Sequence, residues 1–210
     1  MALINYWSDI NIVCDRDMHL NAMAVRGVVE ALSLRPHLYI LNEEELVEQF
    51  FTGQFPPAAM TILCCHGTVV EGKGRILRQR TIGLEPGSKT KWVEKVIDIS
   101  PEDIKKHRNI GAGVLVTMAC GGATPELAEA FLAGGYSAYI AGTTGVAVSS
   151  SILFISGLLC HLMAHERDLD HDDEEPITYT LSEACERARG FEEYKCGTKV
   201  FKLFEKDTGI

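Results

Sequence analysis

The chain has 210 residues, 46% of them apolar, with 20 basic and 29 acidic side chains and a net charge of −9. That is enough apolar material for one domain with its own core. The acidic balance, relieved only by the short run Lys105, Lys106, His107, Arg108, argues against a nucleic-acid partner, whose phosphate backbone needs a basic face.

Seven cysteines form neither a C-x-x-C pair nor a secreted disulfide pattern, which fits a reducing cytoplasm. The opening segment lacks a basic stretch followed by an apolar run and a small-residue cleavage site, so no export signal is expected. The most apolar stretch, Ala128 to Ala164, is interrupted by Gly134, Gly135, Gly142, Gly145 and three serines, which argues against a membrane span.

In chain order, the apolar run Ile10 to Cys14 predicts a buried strand that runs out into Asp15, Arg16 and Asp17. A helix follows over "AMAVRGVVEALSL", capped by Asn21 and stopped before Pro36. The cycle repeats with a strand at His37 to Leu41, a helix near Glu43 to Phe51 capped by Asn42, and a strand at Met60 to Cys65. From Thr68 to Asn109 two alternating stretches around "EPGS" predict a small hairpin excursion that includes Trp92. A short helix is expected at Ser100 and Pro101, with Glu102 and Asp103 suiting its dipole. A strand at Gly113 to Met118 then leads to a helix at Pro125 to Leu132 capped by Thr124, a strand at Ser137 to Ala141 and a long helix from Ser149 to Glu166. After the acidic run, "LSEACERARGF" reads as a helix and "KVFKLF" as a terminal strand.

Strands alternating with helices predict an α/β fold with a mostly parallel sheet and helices on both faces. We expect one domain over 1–210: a large portion 1–166, an acidic linker 167–176, which could instead be a processing site, and a small portion 177–210. In such sheets function gathers at the carboxyl ends of the strands.

Two strand ends carry chemistry. "MTILCCHG" ends in His66 and Gly67, and "GVLVTMACGG" ends in Cys120, Gly121 and Gly122. If the two strands are parallel members of one sheet, the imidazole and the thiol emerge on one edge. A neighbouring imidazole removes a thiol's proton or lowers its pKa, making a nucleophile at neutral pH. The glycines leave backbone N–H groups open to a developing oxyanion. A metal site at Cys64, Cys65 and His66 is the weaker reading, because adjacent residues on a strand face opposite ways. His161 and His165, one helical turn apart, fit solvated helix-end histidines better than metal ligands. No metal and no cofactor are expected.

With these motifs the sequence resembles the caspase-like cysteine peptidases, the group of caspases, metacaspases, separase and the CHAT peptidases. "MACGG" with His66 upstream matches the caspase pattern Q-A-C-[RQG]-G with Met118 in place of glutamine. "ACGGATPELAEAFLAGGYSAYIAG" is most similar to the CHAT version. The resemblance implies a caspase-like three-layer sandwich and a cysteine endopeptidase. Cys120 would be the nucleophile, His66 the general base, and the amides of Gly67 and Cys120 the oxyanion hole, with a thioester intermediate.

Asp15, Arg16 and Asp17 at the first strand end, Met118, and Thr143 and Thr144 in the loop after the fifth strand are the candidate substrate-binding residues. Without the caspase pattern of arginines, strict aspartate selection is not expected. The lean is toward a basic or medium apolar residue before the cut. Expected partners are a protein or peptide substrate and a separate regulatory or recruiting protein, with no nucleic acid and no membrane. Two rival readings are a catalytically silent caspase-like binding module and a doubly wound small-ligand protein with "GGATPELAEAF" at an anion-binding helix start.

Overall fold

The computed structural model describes residues 8–85, 87–143, 145–163, 179–196 and 200–206, with backbone alone for 77–84, 92–96 and 191–196. The acidic linker 167–176, His165 and Thr144 lie outside the described residues.

Six strands form the central sheet in the order β2-β1-β3-β7-β8-β9. They are β1 (Asp9–Asp15), β2 (Arg35–Leu41), β3 (Met60–Cys64), β7 (Val114–Thr117), β8 (Ala138–Gly142) and β9 (Phe201–Glu205). The first five run parallel, and β9 pairs antiparallel with β8. Parallel neighbours require crossovers, and helices supply them: α1 (His19–Ala31), α2 (Glu44–Phe51), α3 (Pro101–Ile104), α4 (Pro125–Ala133) and α5 (Val148–Met163), with α6 (Leu181–Cys196) preceding β9.

The strands alternate strictly between two cores. Ile10, Ile12, Cys14, Met60, Ile62, Cys64, Val114, Val116 and Met118 pack beneath α1, α5 and α6. Val13, Leu63, Cys65, Leu115, Ala119 and Tyr139 pack beneath α2, α3 and α4. The result is an α/β three-layer sandwich, as the alternation of elements predicts.

Local starts and stops follow their chemistry, with corrections. The helix α1 begins at His19, not after Asn21. Asp15 accepts the Met18 N–H at 2.8 Å and closes the strand-to-helix turn early, while the Asn21 amide donates to the Met18 sulfur. Its end is a Schellman-type turn in which Leu34 N–H donates to the Val29 carbonyl and Ser33 takes a positive φ of 58°. Pro36 is accommodated within β2 because β2 is the edge strand. Glu43, not Asn42, precedes α2, and neither it nor Thr124 before α4 makes a side-chain cap bond. Ser100 and Asp103 form a reciprocal capping box at α3, and Thr180 and Glu183 exchange the same pair of bonds at α6.

The excursion is larger than a hairpin. The strands β4 (Gly67–Val70), β5 (Lys73–Leu84) and β6 (Trp92–Ile99) form a separate antiparallel sheet in that order. Sequence reading missed β4 because four residues starting at a glycine show too little alternation.

Among the described residues, no helix is long and apolar enough to cross a membrane.

Candidate active site

The register between β3 and β7 fixes the geometry. Every rung from Met60↔Val114 to Leu63↔Thr117 joins residues 54 apart in sequence, the same separation as His66 and Cys120. The Met118 N–H, one step past the last rung, still donates to the Leu63 carbonyl at 3.0 Å. Carried on, that register would set His66 opposite Cys120 at the carboxyl edge. The turns beyond are in direct contact: a Cβ on Gly67 would stand 2.6 Å from the Cys120 carbonyl oxygen and 2.7 Å from the Ala119 Cβ. Only a residue without a side chain lets these two strand ends approach so closely.

The cysteine turn is held by a set of short-range and long-range hydrogen bonds. Thr117 Oγ1 accepts the Ala119 N–H at 3.1 Å, and the Gly122 N–H returns to the Ala119 carbonyl. Gly121 has φ +68°, the left-handed region, and a Cβ there would lie 2.5 Å from Val69 Cγ2. The buried Tyr139 hydroxyl donates to the Gly122 carbonyl at 2.9 Å, and the Ala123 N–H donates to the Gly142 carbonyl. Cys120 is half-buried, with its sulfur 4.0 Å from the Val146 carbonyl. Among the described residues the Cys120 N–H meets no acceptor. His66 is exposed.

The other thiols are placed differently. Cys14, Cys64, Cys65 and Cys185 are buried. Burial, and then the charge of Asp15, pushes the Cys14 thiol up to about 12; burial also drives Cys64 well up. Both are held as inert thiols. Cys64 and Cys65 enter opposite cores, so with His66 they do not converge on one point. His161 sits edge-on to Tyr179 at 5.7 Å.

The substrate-binding residues divide. Arg16 and Asp17 are exposed at the same sheet edge. Asp15 is not an open pocket wall: it is 1% exposed, and its carboxylate accepts the Met18 N–H on Oδ1 and the His66 N–H on Oδ2 at 3.0 Å. Burial pushes its carboxyl up from the ordinary value, opposed by these two N–H groups and by the charge of His66. A carboxylate at the end of β1 thus holds the backbone of the histidine at the end of β3. The placement follows from Cys14↔Cys64 being partners in the sheet. Met118 is likewise enclosed in the core, at 4% exposure, so it lies under the site and not on its open wall. The Thr143 N–H donates to the Val200 carbonyl at 2.7 Å, tying the end of β8 to β9.

Sequence reading missed three supports. These are Asp15 behind His66, Tyr139 behind the glycine turn and the Val146 carbonyl beside the thiol. The signal for Tyr139 was available, since a tyrosine in a buried strand needs a partner for its hydroxyl; a loop carbonyl gives none.

A cavity of about 320 Å³ lies at the opposite, amino edge of the sheet, with Asn11, Thr61 and Tyr136 in its wall. The His66 and Cys120 motifs lie instead at the carboxyl edge.

No family model matches the sequence, and no curated protein does. Among solved structures, the chain is similar to a chain in the crystal structure of the Saccharomyces cerevisiae separase-securin complex. The TM-score is 0.56 at 12% identity, over 96% of this chain and 12% of that one. The chain therefore spans about an eighth of the length of that relative. With the strand order, the helices on both faces and this likeness together, the chain has a caspase-like α/β fold.

Proposed function

We propose that this domain is a cysteine endopeptidase that uses Cys120 and His66. The observation that carries the reading is the shared register of β3 and β7, which brings the two residues to adjacent strand ends. His66 takes the thiol proton as Cys120 sulfur attacks a peptide carbonyl. The amides of Gly67 and Cys120 face the oxyanion of the tetrahedral intermediate. Its collapse expels the amine, which leaves with the proton from the imidazolium, and a thioester remains. Water, deprotonated by His66, then releases the acid and restores the thiol. Arg16, Asp17, Thr143 and Thr144 are proposed around the substrate, with Asp15 as a positioning residue behind His66 and Met118 in the core beneath. Securin accompanies separase in that relative's structure, and by that likeness a separate recruiting or regulatory protein is proposed for this chain.

The test is cleavage of a mixed peptide pool by the full chain, with Cys120→Ala and His66→Ala alongside. Each substitution is expected to lower turnover by at least about a thousandfold, as removal of a nucleophile or its base does. A peptidyl electrophile is expected to map to Cys120 and leave the exposed Cys160 unmodified. Turnover that survives Cys120→Ala overturns the assignment. Partner capture unaffected by that substitution, with no labelling of Cys120, supports the silent-module reading instead.

A further inference from the structure

Among the described residues, six large apolar side chains are exposed: Leu20, Met23, Val69, Val70, Val148 and Leu153. All six follow the carboxyl end of a central strand. Leu20, at 80% exposure, and Met23 lie in the first turns of α1 after β1; Val69 and Val70 lie in β4 after β3; Val148 and Leu153 lie at the start of α5 after β8. Apolar side chains scattered singly need no explanation, but six that share this position after the strand ends call for one.

One of them touches the turn that carries the thiol, and a second follows closely along the chain from the thiol's neighbour Val146. Val69, 48% exposed, touches the Gly121 turn, where its Cγ2 lies 2.5 Å from a Cβ built on that glycine. Val148 is two residues beyond Val146, whose carbonyl is 4.0 Å from Cys120 Sγ. Beneath lie the buried Met18 and Met118. The strand β4 is the outer strand of its sheet and begins next to His66, so one of its main-chain edges has no neighbour in that sheet. Such an edge suits an extended peptide. The charges at this edge do not select an ionic side chain: Arg16 and Asp17 are opposite in sign and solvent-facing, and the Asp15 carboxylate is committed to two backbone N–H groups.

We infer that the substrate is an extended peptide with bulky apolar residues next to the cut bond, and that Val69 and Val148 determine this specificity. The inference rests on the peptidase reading and narrows the expectation of a basic or medium apolar residue to an apolar one.

The experiment is cleavage-site profiling by mass spectrometry with the full chain and a mixed peptide pool, repeated with Val69→Glu, Val148→Glu and the near-isosteric Val69→Thr and Val148→Thr. Cut sites are expected to be enriched in Leu, Ile, Val, Met or Phe within two positions of the bond. Each glutamate variant is expected to lower kcat/KM for such peptides about tenfold or more, the scale of one lost apolar contact, with a smaller drop for threonine and an unchanged melting temperature. Cuts without apolar enrichment, or valine variants with unaltered selectivity, overturn this inference and leave the peptidase reading standing. Concentration-dependent dimerisation that is lost in the glutamate variants while selectivity is not also overturns it, assigning the face to a second copy. No cuts and no Cys120 labelling overturn the peptidase reading and this inference with it.

Discussion

Asp15 is an acidic residue buried from solvent, and two backbone N–H groups donate to its carboxylate. Replacing it with asparagine keeps the shape but turns one acceptor into a donor facing an N–H, so Asp15→Asn is expected to cost about 1–3 kcal/mol. Because the group holds the His66 backbone, cleavage is expected to fall with stability. The pH dependence carries a sign. Burial raises the folded carboxyl above its ordinary value of about 3.9, so the fold binds more protons here than the unfolded chain. The residue's contribution is fully present below the ordinary value and is lost as pH rises through the raised one. Urea unfolding from about pH 4 upward is expected to show this decline in the parent and its absence in Asp15→Asn. Equal slopes in the two proteins remove the residue from this role.

At the level of elements, the decisive contact is between two strand ends. Gly67→Ala inserts a methyl group 2.6 Å from a backbone carbonyl oxygen, which cannot turn aside as a side chain would. The strands must separate or the cysteine turn must tilt. A displacement near 1 Å costs about a hundredfold in rate, so kcat/KM is expected to fall by that order while the melting temperature drops only a few degrees. Full activity in Gly67→Ala would mean that the two ends need not touch. The histidine and cysteine motifs were legible at this level because each closes an apolar run with glycine. The small sheet β4-β5-β6 was only half legible, since β4 is too short to alternate, although it joins β5 through the local two-residue turn Glu71-Gly72.

For the whole molecule, the segment after the acidic run is part of the same core. From it, Ala184, Cys185, Ala188 and Phe201 are buried with α1 and α5, and Phe201 stacks on Phe154 with centroids 4.2 Å apart. Expressed alone, 1–166 would leave that surface open and the outer edge of β8 unpaired, a template for aggregation. We expect 1–166 to aggregate alone and to stay soluble when co-expressed with 177–210, the two fragments eluting together in size-exclusion chromatography. A soluble, folded 1–166 by itself would show that the small portion is dispensable to the fold.

The amino-acid sequence determined the succession of strands and helices, the two apolar runs that end in His-Gly and Cys-Gly-Gly, and their separation of 54 residues. These are local properties, set by side-chain periodicity, glycine and proline, and they can be read without knowing what pairs with what. Tertiary structure decided that β3 and β7 are neighbours, in a register whose rungs join residues separated by this same number. It also decided that Asp15 turns inward to the His66 backbone, that Met118 is enclosed, and that β9 closes the sheet antiparallel. Each depends on partners remote along the chain, and hydrogen-bond pairing and burial are fixed only when those partners meet.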